Sequence, residues 1–367
     1  MGDSRLILFS DSSKNIGGQE LQALQQMHAL NQSGHSTILL AKPGSAILAR
    51  AQSEGLSALE VPFRNAFHIP SFLKIWKLVK CKTPSAIICH GSHDALICAL
   101  IGKFAGWLGL MAIPVLRVKT FQHGYPLSFA YNHLFSTTIT PSQFLREKFL
   151  ANQSIRPNKI QVLYPGIDFS GLDQEVDVLP AHIQAWLKDH PGPVLSHGAI
   201  LRGEKGHGII LKALVEIKKS FPNVRYLIAG EGQDRPLLEA EIATLGLADN
   251  VLLTGILQKI APLLKISDVA VLPSLIEPLG MFQIEAQYLA IPTIASNTGG
   301  IPETLVDQKT GLLVQSGNVE HWAKAIIWML SNPSLGKEMA KQGKQFVQAK
   351  FSLGANTTGL LELIKNC

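Results

Sequence analysis

The sequence predicts an α/β protein built from two parallel-sheet domains, and three observations carry that reading. The chain has 367 residues, more than one ordinary hydrophobic core encloses. Short apolar runs closed by Pro or Gly alternate with longer helix-period segments, the pattern of parallel strands buried on both faces. The alternation lapses over residues 169–190, where periodicity is weak and acids accumulate, and then resumes. These observations suggest an N-terminal domain at 1–168, a linker at 169–190 and a C-terminal domain at 191–350. A last helix at 351–367 is expected to pack back on the N-terminal domain.

In the first block, strands are expected at 5–10, 37–41, 58–61, 86–89, 115–118, 136–140 and 160–164. Helices at 19–32, 70–82 and 94–108 separate them. In the second block, strands are expected at 194–197, 225–229, 251–254, 269–272 and around Ile294-Ala295. Helices fall at 180–189, 208–219, 237–245, 260–265, from about Met281, and at 317–331 and 334–351. No internal repeat is visible. Asn15-Ile16-Gly17-Gly18 forms the turn after the first strand of a βαβ unit. It lacks G-x-G-x-x-G, which excludes the dinucleotide fingerprint. Gly17 and Gly18 either admit a phosphate or a partner domain to the backbone, or simply make a tight turn.

Composition narrows the class further. With 46% hydrophobic and 16% charged residues the chain is globular and not disordered. Its four cysteines (Cys81, Cys89, Cys98, Cys367) have no metal-type spacing, which favours a reduced cytoplasmic setting. The stretch 95–116 is divided by Gly102, Gly106 and Pro114 into a buried helix and a strand, so a soluble chain is expected. Charge is uneven: residues 1–170 hold 16 Lys/Arg against 8 Asp/Glu, a net +8, and the remainder holds 17 against 19, a net −2. No nucleic-acid motif accompanies the basic half. It reads as a solvated face, a surface for a phosphorylated acceptor, or a peripheral contact with an anionic membrane. Within it, segment 70–82 is basic and amphipathic, and serves either to cover the sheet or to lie on a membrane.

The most informative stretch is 271–314. An apolar run ends at Pro273, Pro278 and Gly280 break the chain, and a helix begins near Met281. Glu277 lies before that helix and Glu285 inside it. A helix start framed by glycine and two acids suits a ligand bearing both phosphate and hydroxyls.

Glu277-x7-Glu285, followed by I-P-T-I-A-S-N-T-G-G-I-P-E and T-G-L-L-V, strongly resembles the retaining glycosyltransferases of GT-B architecture, with two facing Rossmann-like domains and an interdomain cleft. Within them it is similar to the large bacterial group 1 family of mannosyl-, glucosyl- and lipopolysaccharide-type transferases. Gly17-Gly18, Y-P-G-I-D at 164–168, L-R-G-E-K-G-H at 201–207 and A-G-E-G at 229–232 extend the likeness over nearly the whole chain. The resemblance implies a nucleotide-sugar donor (UDP-, GDP- or ADP-linked) and a glycan or lipid-linked acceptor at the inner face of the cytoplasmic membrane. It implies no further cofactor, and the absence of Asp-x-Asp implies no metal. Glu285 would hold the ribose diol, Glu277 the transferred sugar, and the backbone of Gly280, Met281 and Phe282 the sugar and diphosphate. Gly230 belongs to the same donor set. Arg202 and Lys205 would neutralise the leaving diphosphate. Many relatives carry an arginine five residues before the lysine, where this chain has Ile200. His90 and His123, each following a strand, are candidates to face sugar or acceptor. A nucleotide-sugar epimerase and a non-catalytic nucleotide-sugar-binding subunit remain alternatives on the same architecture.

Overall fold

Strands β1 (Leu6–Asp11) and β4 (Ala86–Cys89) are apolar on both faces, and this puts them at the centre of a parallel sheet. The computed structural model describes residues 4–65, 67–108, 112–121, 126, 128–173 and 178–367. The chain divides into two units, Met1–Asp168 with Phe351–Cys367, and Phe169–Lys350.

The first unit adds β2 (Ser36–Ala41), β3 (Ala58–Glu60), β5 (Val115–Val118), β6 (Thr137–Thr140) and β7 (Ile160–Val162). Their order is β3-β2-β1-β4-β5-β6-β7, all parallel, with Ile7 in register with Thr37 on one side and Ala86 on the other. Alternation along β1 sends Ile7 and Phe9 into one core layer and Leu8 into the other. The helix Leu353–Lys365 joins the first layer through Leu360 and Ile364. Asn356 fixes it there, accepting from Gln26 Nε2 at 2.8 Å and donating to the Tyr164 carbonyl at 2.6 Å.

The second unit holds β8 (Val194–Gly198), β9 (Arg225–Ala229), β10 (Val251–Gly255), β11 (Val269–Leu272), β12 (Thr293–Asn297) and β13 (Leu312–Gln315), ordered β10-β9-β8-β11-β12-β13. Val269 and Val271 face one core layer, Ala270 and Leu272 the other. Residues from the stretch 169–190 belong to this unit: Ile183, on the helix Ala181–Asp189, is fully buried with Val194, Leu227 and Leu263. In both sheets the strand order reverses beside the first strand of the unit, between β1 and β4 and between β8 and β11. Open α/β sheets place ligands at the carboxyl ends of strands at such a reversal. Helices Ala46–Ser53 and Gln143–Leu150, each only eight residues long, escape the sequence pattern, as does the single turn Ser170–Asp173.

Candidate active site

At the carboxyl ends of β8, β11 and β12 three loops are bound to one another by backbone contacts. Leu275 N donates to the Glu204 carbonyl at 2.8 Å and Gly300 N to the Glu277 carbonyl at 2.9 Å. Two glycines make the approach feasible. Gly206 has φ +75, and a Cβ there would lie 2.0 Å from the Pro273 carbonyl oxygen; Gly299 has φ +57, with the Glu277 carbonyl oxygen equally close. The framework brings Lys205, from the loop after β8, against Glu277, from the loop after β11. Lys205 Nζ donates to Glu277 Oε2 at 2.7 Å, with the two side chains only 17% and 12% exposed.

Glu285 is held differently. It stands in the first turn of the helix Phe282–Tyr288, where its N–H and that of Ile284 both donate to the Met281 carbonyl at 3.0 Å. Its side chain is part-buried and has neither an ion pair nor a hydrogen bond among the described residues. Burial alone pushes its carboxyl up to about 7. An acid left desolvated and unpaired at a helix start is poised for a ligand that supplies hydroxyl donors. Gly280 turns the chain into this helix at φ +87, Met281 is its exposed N-cap, and Phe282 is buried against Gly198, where a Cβ would lie 2.6 Å from the ring.

The remaining expected residues do not join the Lys205–Glu277 pair. Arg202 is half-exposed and pairs with Glu204 at 3.1 Å instead of joining Lys205 and Glu277. Gly230, at φ +154, is required by packing, since a Cβ would come within 1.9 Å of the Ala199 carbonyl oxygen. In the first unit, Gly17 N-caps the helix Gly18–Gln32, and its N–H donates to Glu20 Oε2 at 2.8 Å. A Cβ on Gly18 would meet nothing within 4 Å, so the space over that turn is open. His90 is buried and stacked on Phe9, and burial lowers its ring to about 4. His90 is thus a neutral, largely enclosed imidazole just past the end of β4, with its Nδ1 left unpartnered. His123 lies outside the described residues.

Two groups were not legible from the motifs. His197, at the end of β8, stacks on His207 with ring centroids 4.4 Å apart, and its Nδ1 shares a hydrogen bond with Tyr226 Oη at 2.8 Å. Burial and the nearby charges depress both rings, His207 to about 4, so neutral imidazoles back Lys205. In the first unit Asp11 and Asp94 are fully buried, each with one unpartnered carboxylate oxygen. Burial, opposed by a hydrogen bond from Ser13 N, raises Asp11 to about 7, with the Asp94 charge adding to the rise. Among the described residues no three His, Cys, Asp or Glu side chains are grouped to hold a metal.

Two family descriptions match adjoining parts of the sequence: glycosyl transferases group 1 over residues 180–346, and glycosyltransferase family 4 over residues 16–170. The C-terminal part of the chain is thus similar to the group 1 glycosyltransferases and the N-terminal part to glycosyltransferase family 4. A curated member, D-inositol 3-phosphate glycosyltransferase of Segniliparus rotundus, is 32% identical over 211 residues, covering 56% of this chain and 46% of that protein. The chain thus spans about half the length of that relative. A glycosyltransferase of Rickettsia africae matches over 100% of this chain and 99% of its own at TM-score 0.85 and 22% identity. Anabaena HepE, solved in complex with UDP, matches over 98% and 100% at TM-score 0.80 and 18% identity. At these identities the structures speak for the fold, the two Rossmann-like parallel-sheet domains of the GT-B architecture.

Proposed function

We propose that this chain is a group 1 glycosyltransferase that transfers a sugar from a nucleotide-sugar donor to a hydroxyl of a glycan or lipid-linked acceptor, with retained configuration and without a metal. The observation that carries the reading is Glu285, part-buried and unpaired in the first turn of the helix Phe282–Tyr288, on the chain segment that follows the Lys205-paired Glu277. A vicinal diol offers two O–H donors to one carboxylate, and the ribose of a nucleotide presents such a diol. Binding there would hold Glu285 ionised and repay its desolvation. Lys205 would meet the diphosphate and Glu277 the hydroxyls of the sugar, the donor separating a pair that now neutralises itself. First-turn N–H groups after Gly280 suit the same phosphates. In the first unit the open turn at Gly17-Gly18 suits a phosphate-bearing or polar ligand.

For the chemistry we favour same-face displacement over a carboxylate nucleophile. The acceptor oxygen forms its bond to the anomeric carbon as the bond to the diphosphate oxygen breaks, and the acceptor proton passes to the departing diphosphate. Lys205 stabilises that charge. Arg202 would contribute only on leaving Glu204. The setting we propose is cell-surface polysaccharide or lipopolysaccharide assembly at the inner membrane face, which the basic half of the chain favours.

The test is a donor screen by thermal shift with UDP-, GDP- and ADP-sugars, followed by transfer to lipid-linked acceptors and NMR assignment of the product anomer. A UDP-sugar is expected to raise the melting temperature, and Glu285→Ala to abolish both shift and transfer. A donor converted to another sugar without acceptor would establish an epimerase instead. Binding without turnover on any acceptor would favour a non-catalytic subunit.

A further inference from the structure

Helices Ile69–Lys82 and Ser92–Trp107 pack side by side on one face of the first unit's sheet, burying Ile75 and Val79 from one and Ile97 and Ile101 from the other. Their opposite faces are apolar too. In the first, Ile69, Leu73 and Trp76 recur at i, i+4 and i+7, and in the second Leu100, Phe104 and Trp107 do the same. The rings of Phe72, Trp76, Phe104 and Trp107 join the two helices, with Trp76 and Phe104 centroids 5.1 Å apart and Phe104 and Trp107 5.9 Å apart. Phe72 and Trp76 pack in part against the core, while the outer end of the cluster faces water. Trp107 is 79% exposed, Phe67 at the entrance to the first helix 81%, and Ile69 68%. A continuous aromatic and aliphatic patch of this kind on a water-facing surface marks a contact.

Its charges point to the partner. Arg64, Lys74, Lys77, Lys80, Lys82 and Lys103 are all exposed on the same two helices and the approach to them. Within these two helices the one acid, Asp94, is buried at the end distant from Trp107. None of the six cations has an ion-pair partner among the described residues. A solvated helix face would alternate charges, whereas an apolar stripe flanked by unpaired lysines is the composition of a helix lying in an anionic interface. Trp and Phe sit at the headgroup boundary, and the lysines reach lipid phosphates on flexible stems. A second copy fits poorly, because an isologous pair would set these cations against themselves. Among the described residues no helix is long and apolar enough to cross a membrane, so the contact would be made from one side.

We infer that the exposed faces of these two helices form a membrane-docking surface that binds an anionic phospholipid bilayer through an aromatic patch and a ring of lysines. This deepens the membrane-side setting proposed above and locates it, while standing on observations independent of the transfer chemistry. The whole chain is incubated with phosphatidylcholine vesicles with and without phosphatidylglycerol, and binding is read by co-sedimentation. Binding is expected with phosphatidylglycerol and to fall as salt rises. Neutralising Lys74, Lys77 and Lys80 with Gln should weaken it by about fivefold per lysine. Leu73→Asp with Trp107→Asp should lower it by more than about tenfold, with melting temperature and transfer to a water-soluble acceptor unchanged. Wild-type chain remaining in the supernatant at low salt, lysine and apolar variants sedimenting like wild type, or a dimer that the same substitutions dissolve would each overturn the proposal. Loss of transfer on every acceptor with vesicle binding intact would instead count against the proposed function alone.

Discussion

The two units use the same strand order and place different chemistry at the carboxyl ends of their strands. In the second, three loops are bound together, Gly206 and Gly299 let backbone pass at van der Waals contact or closer, and Lys205 is paired with Glu277. In the first, the turn at Gly17-Gly18 is open, its acids are buried beneath it, and the exposed chemistry lies on a helical face instead. The lesson is that a rigid, charge-balanced loop cage suits a ligand of fixed structure. An open turn and an amphipathic exterior suit one whose bulk lies elsewhere.

That contrast can be broken most forcefully at the chemistry. Lys205→Ala is expected to lower turnover by about 100-fold or more, since one charge-stabilising donor is worth roughly that much; single-turnover rates measure it. Retained turnover would show that the Lys205–Glu277 pair is only structural.

Backbone substitutions come next. Gly206→Ala and Gly299→Ala force a Cβ onto a carbonyl at positive φ and should each cost about 2–4 kcal/mol by denaturant titration. Gly18→Ala meets open space at a helix start and should change stability by less than about 1 kcal/mol. Equal effects would erase the distinction between cage and open turn.

A smaller effect depends on pH. Glu285 titrates at about 7 in the fold against its usual 4.5. Between those values the folded protein holds more protons than the unfolded chain, so stability falls as pH rises through the window, by about 1–3 kcal/mol. Glu285→Gln should remove that slope. Asp11, raised from 3.8 to about 7, contributes with the same sign, and Asp11→Asn should remove its share. Donor binding should flatten only the Glu285 part. At the bottom of the scale, Arg202→Ala should alter stability by less than about 0.5 kcal/mol, because its pair with Glu204 is exposed.

Much of the fold could be read directly because β4 and β11 are continuous apolar runs and β1 opens on one, Leu6–Phe9. Helices Ala46–Ser53 and Gln143–Leu150 could not, being too short for periodicity to accumulate. Ser142, which caps the second by accepting from Leu145 N, was the available signal. In the candidate site, the motifs singled out Glu277 and Lys205 in loops that follow strands and Glu285 inside a helix. The direct Lys205–Glu277 contact was not legible, since they are 72 positions apart and meet only through sheet topology. Gly230 shows that sequence does not distinguish a glycine kept for packing from one kept for access. His90 and His197 show the same ambiguity from the other side. Each ends a strand, and burial, which composition does not reveal, decides that both are neutral and enclosed.

The central claim is that the unpaired carboxylate of Glu285 receives the diol of a nucleotide. Calorimetric titration of the wild type and Glu285→Gln with UDP and with its 2′,3′-dideoxy analogue addresses it directly. The account expects the wild type to prefer UDP by about tenfold or more, the worth of a charge-assisted hydrogen bond, and the variant to bind both nucleotides alike. Equal affinity of the wild type for the two nucleotides, or a preference that survives in Glu285→Gln, would contradict it.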